Sequence, residues 1–235
     1  MGVNMQIVLI LILILQSIIG CSASTVVSLN QNNIPKDFVN VGDYIEGMVI
    51  DARYFSKNNF TGNNVNGYLA NKCYLRREAA LSLKKIQAEL LKKNMRLKMY
   101  DCYRPQRAVD QFILWTRNTK DQSTKAVYYP RIDKADLLGP YIASKSGHSK
   151  GNTIDLTIVL FDDENFEELD MGSKYDLFDP KSHTITQLIT EQQQKNRLIL
   201  KEIMEQHNFQ NYDMEWWHYS FISNKEYEYL DFLVK

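Results

Sequence analysis

The hydrophobic pattern of this chain changes period several times, and each change predicts an element. Residues 7–19 form a nearly unbroken apolar run, interrupted by Gln16 and Ser17 and followed by small residues at Gly20, Cys21, Ser22 and Ala23. A bilayer-spanning helix needs ~20 apolar residues, so this shorter run reads as a secretory signal peptide. No Lys or Arg precedes it, the first being Lys36, and an uncleaved anchor helix is the competing reading. Two processing routes are open. Gly20 before Cys21 is the arrangement of a lipoprotein signal, with lipid carried on Cys21, although Ile19 stands where a small residue is preferred. Cys21-Ser22-Ala23 suits an ordinary signal peptidase, which would remove residues 1–23. Either route exports a single domain of residues 24–235 to the periplasm, or leaves it lipid-anchored in a bacterial cell envelope.

Beyond the leader, residues 24–45 read as an extended lead-in and residues 48–54 as a short strand entering the loop around Asn58 and Gly62. Leu75, Ala79, Leu83, Ile86 and Leu90 recur at helical spacing, which predicts an amphipathic helix over 75–94. Residues 97–100 alternate like a strand. Pro105 opens a helix running to about Arg117, since its missing N–H costs nothing in a first turn. Residues 118–145 read as a long loop, and residues 154–161 as a strand from their Ile, Val, Leu and Thr content. A second long helix is predicted over 184–207, then aromatic-rich strands over 212–221 and 227–234. The sum is an α+β fold, helices packed on a mainly antiparallel central sheet.

Charge and composition narrow the partners. Lys+Arg and Asp+Glu are both 28, so the formal net charge is zero and no global field draws the chain to nucleic acid or an anionic membrane. The 235 residues, 44% of them hydrophobic, are enough for one substantial core. If the chain is exported, Cys73 and Cys102 enter an oxidising compartment that favours their pairing. Two free buried cysteines are the alternative, and spacing does not decide between them.

Three short motifs carry the candidate chemistry. Ser146-Gly147-His148-Ser149-Lys150-Gly151-Asn152-Thr153-Ile154-Asp155 offers an imidazole and a carboxylate, both of which suit zinc. Seven positions separate His148 from Asp155, and on one regular strand an odd separation would point them to opposite faces; Gly151 allows a turn or bulge between them. Glu215-Trp216-Trp217-His218 adds a second imidazole and a free carboxylate, which share a site only if that segment bends. Tyr103-Arg104-Pro105 supplies a guanidinium suited to a carbonyl oxygen gaining negative charge. Each motif also has a plain reading: a surface loop before a strand, an aromatic core strand with an incidental His, a surface salt bridge from Arg104 to Asp101. Taken together they are the parts of a zinc peptidase with an open coordination position. His183 and His207 lie near the predicted start and end of the second long helix and read as structural or surface residues.

With these residues the chain resembles the D-alanyl-D-alanine dipeptidases of the VanX type, zinc peptidases related to D,D-carboxypeptidases and to the hedgehog signalling domain. The resemblance runs from about Tyr44 to the C-terminus. It includes Asn59-Phe60-Thr61-Gly62, Gly67-Tyr68, residues 101–105, the Ser146 to Asp155 motif, Met171-Gly172, Tyr175-Asp176 and Glu215-Trp216-Trp217-His218. It implies that His148, Asp155 and His218 bind one Zn2+ per chain, that Glu215 is the catalytic base and that Arg104 stabilises the transition state. It further implies that Asp176 holds the ammonium of a small dipeptide substrate and that Ser146 is a substrate contact. Thr153 stands where the motif usually has Ala. Cys102 stands where Gly is common, and its coexistence with Cys73 supports a disulfide. The implied reaction is zinc-dependent hydrolysis of D-Ala-D-Ala in the cell envelope; the alternative is a zinc D,D-carboxypeptidase trimming peptidoglycan stem peptides.

Overall fold

A short strand β1 (Phe38–Asn40) leads directly into a single helical turn, α1 (Val41–Tyr44). A computed structural model describes residues 33–162 and 165–235; the predicted leader, Cys21 and the first part of the lead-in lie outside the described residues. The chain continues through β2 (Val49–Ile50), β3 (Tyr74–Arg76), α2 (Arg77–Leu91), β4 (Met95–Asp101), α3 (Gln106–Arg117) and α4 (Lys125–Tyr128). It ends with β5 (Thr153–Asp162), β6 (Asn165–Glu168), α5 (Glu191–Gln206), β7 (Phe209–Tyr212) and β8 (Glu215–Phe221). The main sheet runs β2-β4-β5-β8-β7, with β6 also on β5, while β1 and β3 form a separate antiparallel pair. Only β2 on β4 is parallel. The fold is therefore α+β with a mainly antiparallel sheet, as the hydrophobic pattern predicts.

Helix α2 forms where the 3.6-residue period is strongest. Ala79, Ala80, Leu83, Ile86 and Leu90 are fully buried on one face, and burying each large side chain stabilises the packing by about 1.5–3 kcal/mol. Gln87 is buried among them because its Oε1 accepts the Leu97 N–H at 2.9 Å, tying the helix to β4.

Several expectations are corrected by competing hydrogen bonds. The lead-in is not merely extended, because Phe38–Asn40 pairs with Tyr74–Arg76. That pairing also takes the first two residues of the predicted 75–94 helix, which instead begins at Arg77; Asn94, at φ 54°, lies beyond its end. The strand expected over 48–54 is confined to Val49–Ile50, since the Ala52 N–H turns to Asn71 Oδ1 (2.8 Å) and a 3-10 turn follows at Arg53–Phe55. The loop over 118–145 contains α4 and a 3-10 turn at Lys134–Leu137. Lys134 is buried there, its Nζ donating to the Asp121 carbonyl at 2.8 Å and lying 3.9 Å from the Trp115 ring centre.

The helix expected over 184–207 starts only at Glu191. Thr190 and Gln193 form a reciprocal capping box there, while Thr184 is held to Asn211 and Asp213 instead. Of the strand expected over 212–221, Glu215–Phe221 forms β8, whereas Tyr212 ends β7, the other arm of a hairpin. Residues 227–234 are not a strand of the sheet. Their N–H groups go to the Ser149 carbonyl, the Tyr103 hydroxyl and the Gly67 carbonyl, and Phe232 stacks on Tyr103 with ring centres 3.8 Å apart. Cys73 and Cys102 form a disulfide with Cα atoms 5.3 Å apart, joining the residue that precedes β3 to the residue that follows β4.

Gly151 turns the chain between the 3-10 turn Gly147–Lys150 and β5. Its φ is +77°, and a Cβ there would collide with the Phe38 ring. Gly151→Ala is expected to destabilise the protein by about 2–4 kcal/mol, adding left-handed strain to overpacking. The check is the urea midpoint at unchanged m-value.

Candidate active site

Strand register places three site residues in one row. Asp155 on β5 pairs with Asp101 on β4 and with His218 on β8. Each flanking strand is irregular at this row. In β4 the register shifts between Met99 and Asp101, so Tyr100 is the extra residue and Asp101 stands opposite Asp155. In β8, Tyr219 pairs with Asn211 and Glu215 pairs with Tyr212, which leaves Trp216, Trp217 and His218 as a bulge. Bulges bend a strand and re-aim side chains. This one brings Glu215 Oε2 within 3.5 Å of His218 Nδ1 although the residues are three apart, and it sends both tryptophans into the core.

His148 arrives from the 3-10 turn, where Ser146 caps the end by accepting the His148 N–H at 3.3 Å. Its Nδ1–H donates to the Cys102 carbonyl at 2.7 Å, which leaves Nε2 bare and pointed at the row. Thr153, where Ala was expected, is buried without harm because its hydroxyl meets Ser220 Oγ at 2.9 Å and Gly147 leaves room above it.

His148 Nε2, His218 Nδ1 and Asp155 Oδ1 form a triangle with edges of 3.3, 3.2 and 3.0 Å. For metal–ligand bonds of ~2.0–2.1 Å, a tetrahedral edge is about 3.3 Å, so the triangle has the dimensions of three zinc ligands. Asp155 Oδ1 is buried and takes part in no hydrogen bond, an acceptor left for a cation. Burial works against ionisation of Asp155, but the two imidazoles outweigh it and hold its carboxyl below the ordinary range. The residues present thus fit a divalent metal.

Arg104 lies beside the triangle. Its Nε donates to Asp101 Oδ2 at 2.9 Å, and Nη2 stands 3.5 Å from Asp155 Oδ2. The Tyr68 hydroxyl donates to Asp101 Oδ1 at 2.6 Å, so the Asp101 carboxylate is fully engaged. The Asp101–Arg104 pair considered from sequence does form, but as a buried strut rather than a surface bridge.

The triangle opens into a cleft of ≈ 210 Å³, smaller than the ~300–1,000 Å³ typical of sites for drug-sized ligands. Arg104, Ser146, Asp155, Asp176, Glu215 and His218 all contribute to its wall, and fully buried His148 stands behind it in the triangle. Burial pushes the Glu215 carboxyl up to about 7, with Asp155 adding to the rise and His218 and Arg104 opposing it. Asp176, at φ 60°, is buried, and the Tyr54 hydroxyl lies 3.1 Å from each of its oxygens. Burial, helped by the nearby Asp155 charge, holds the Asp176 carboxyl well above its usual value.

Tyr54, Tyr68 and Tyr175 are contacts that sequence reasoning did not identify. The Tyr175 hydroxyl donates to Asp155 Oδ2 at 2.9 Å and lies 3.1 Å from the Tyr54 hydroxyl. Tyr68 and Tyr175 fall in segments that carry the resemblance, but nothing local gives any of the three a role among the 14 tyrosines of the chain. His183 and His207 stay away from the row; His207 Nε2 meets Glu89 at 2.9 Å, and the His183 carbonyl accepts from Arg197. Among the described residues, His148, Asp155 and His218 are the group arranged for a metal ion.

Comparison with known proteins agrees with this geometry. Residues 35–235 match the Peptidase_M15 family, described as D-ala-D-ala dipeptidase. The chain is 39% identical to the D-alanyl-D-alanine dipeptidase of Enterococcus faecalis over 186 residues, covering 79% of this chain and 91% of that protein. It is 39% identical to the Streptomyces coelicolor D-alanyl-D-alanine dipeptidase over 185 residues, 78% of this chain and 91% of the relative. The Escherichia coli D-alanyl-D-alanine dipeptidase is 30% identical over 183 residues, 78% of this chain and 83% of its own length.

A raised Asp176 carboxyl has a stability consequence. Its folded value lies above its unfolded one (~3.9), so the protonated form favours the fold at low pH and that contribution is lost as pH rises through the folded value. Asp176→Asn, which tolerates the left-handed backbone, is expected to be more stable than the parent at neutral pH when both are metal-free. The advantage should shrink as pH falls below the raised value, and urea midpoints measured across pH check this.

Proposed function

The chain belongs to the Peptidase_M15 family of D-Ala-D-Ala dipeptidases and is a hydrolase; from that premise we propose that it uses one zinc ion to hydrolyse D-Ala-D-Ala in the cell envelope. The observation that carries the reading is the His148, Asp155, His218 triangle with Glu215 and Arg104 on one small cleft. An imidazole, imidazole, carboxylate set suits zinc in a catalytic site. When bound there, zinc lowers the pKa of a water toward ~7 and polarises a carbonyl oxygen.

The protein's own residues do the rest. Asp176, on the cleft wall, accepts the substrate's ammonium; the arriving positive charge favours the carboxylate form that burial alone disfavours. Glu215, poised near neutrality, removes a proton from the attacking water and returns it to the leaving amine. The Arg104 guanidinium, held rigidly by Asp101, faces the carbonyl oxygen as it gains charge. Ser146 lies on the same wall, within reach of the substrate. A dipeptide presents an ammonium to Asp176, whereas a longer peptide presents a neutral amide and would leave Asp176 without a cation.

Export is the accompanying proposal. The apolar run of residues 7–19 before Cys21 and the Cys73–Cys102 disulfide both support an oxidising compartment. Lipid on Cys21 or cleavage after Ala23 is read from the mass of the mature N-terminus.

The test is hydrolysis of D-Ala-D-Ala by the purified zinc-loaded protein, with a D-Ala-terminated pentapeptide in parallel. Release of D-alanine from the dipeptide alone is expected. Cleavage of the pentapeptide would transfer the reading to a carboxypeptidase, and zinc-loaded protein that cleaves neither would overturn it. Glu215→Ala should keep stoichiometric zinc and lose about 10²–10⁴-fold in kcat. Arg104→Ala should lose about 10²–10³-fold.

A further inference from the structure

The two oxygens of Asp155 are treated differently by their surroundings. Oδ1 faces His148 Nε2 at 3.2 Å and His218 Nδ1 at 3.0 Å and takes part in no hydrogen bond. Oδ2 accepts the Tyr175 hydroxyl proton at 2.9 Å. Arg104 Nη2 is also near Oδ2, but at 3.5 Å, and its Nε is engaged by Asp101. The short contact to Oδ2 is therefore the phenol.

A carboxylate can hold a cation through one oxygen or through both. A catalytic zinc site keeps a position for water beside three protein ligand atoms, and a second oxygen from Asp155 would compete for that position. Resting on the metal reading above, we propose that Tyr175 is a positioning residue: by occupying Oδ2 it holds Asp155 as a one-oxygen ligand and keeps the water position open.

The phenol is built to stay in place. Its ring stacks on Tyr100 with centres 4.7 Å apart and meets the Trp217 edge at 5.4 Å. The loop that carries it is clamped by buried Arg197, whose guanidinium donates to the carbonyls of Met171, Lys181 and His183 and to Ser173 Oγ. Hydrogen bonds that orient a metal-ligating side chain set metal affinity by about 10–100-fold.

Tyr175→Phe keeps the ring contacts and removes only the hydroxyl. The variant and the parent are compared for zinc affinity, by competition with a chromophoric chelator, and for the visible spectrum of the cobalt(II)-loaded protein, which reports coordination number. The expected result is zinc affinity about 10–100-fold weaker, with cobalt bands losing intensity as Oδ2 joins the metal. Tyr54→Phe, which leaves the Tyr175 bond to Asp155 intact, should keep the parent spectrum. If the Phe variant does not fold, Tyr175→Met carries the same expectation. A cobalt spectrum identical to the parent's overturns the inference whatever the affinity. A parent that takes up neither zinc nor cobalt overturns the metal reading, and this inference with it.

Discussion

The carboxylate of Asp155 is the constraint around which the rest of the structure is arranged. It sits on the central strand of the main sheet, 2% exposed, where an ionised group is expensive unless it is fully paired. A phenol and a guanidinium meet that demand on Oδ2, while Oδ1 faces two imidazoles in the arrangement of shared metal ligands. A regular sheet would not deliver these partners. The extra residue at Tyr100, the bulge at residues 216–218 and the left-handed turn at Gly151 each break a local rule, and each brings one partner to the same row. The irregularities of the fold are concentrated where its chemistry is.

A second layer holds the first. Asp101 is buried with Tyr68 and Arg104 on its two oxygens, and the Cys102 carbonyl orients His148. The disulfide ties that carbonyl's residue to Cys73 beside β3, so the second layer is anchored covalently as well as by the sheet. On the other side of the cleft the wall is loop. Arg197 serves as the internal brace there, satisfying carbonyls that no strand reaches. The site therefore combines two candidate metal ligands on strands and one on a 3-10 turn with a cleft wall on braced loops, and the two meet at Tyr175.

Burial also divides the acids by task. Asp155 is held ionised by its neighbours, Glu215 is poised near neutrality, and Asp176 is pushed toward its protonated form. All three carboxyls are buried in one site, and what separates them is the distance to imidazole and guanidinium. A carboxyl raised by burial suits the proposed hold on an ammonium, since an arriving cation relieves a cost that the protein otherwise carries alone.

Much of this was legible in the chain. The α2 period, the strand before Arg104 and the three motifs with His148, Asp155, Glu215 and His218 are local patterns, and a local pattern survives without knowledge of the fold. Helix starts were less legible, because Arg77 and Glu191 were set by competition from β1 and from a capping box that the apolar period does not register. Residues 227–234 looked like a strand because aromatic, β-prone side chains suit many buried surfaces, and only their neighbours show that no sheet edge is there. What the sequence by itself determined is the inventory: which side chains could bind a metal, move a proton or meet an oxyanion, and that helices would pack on an antiparallel sheet. What only the tertiary structure decided is the assembly, including the Tyr54, Tyr68 and Tyr175 contacts. Tyr54, on a 3-10 turn, and Asp176, on a loop, lie 122 positions apart, and packing between distant segments, which no local pattern records, brings them within a hydrogen bond of each other.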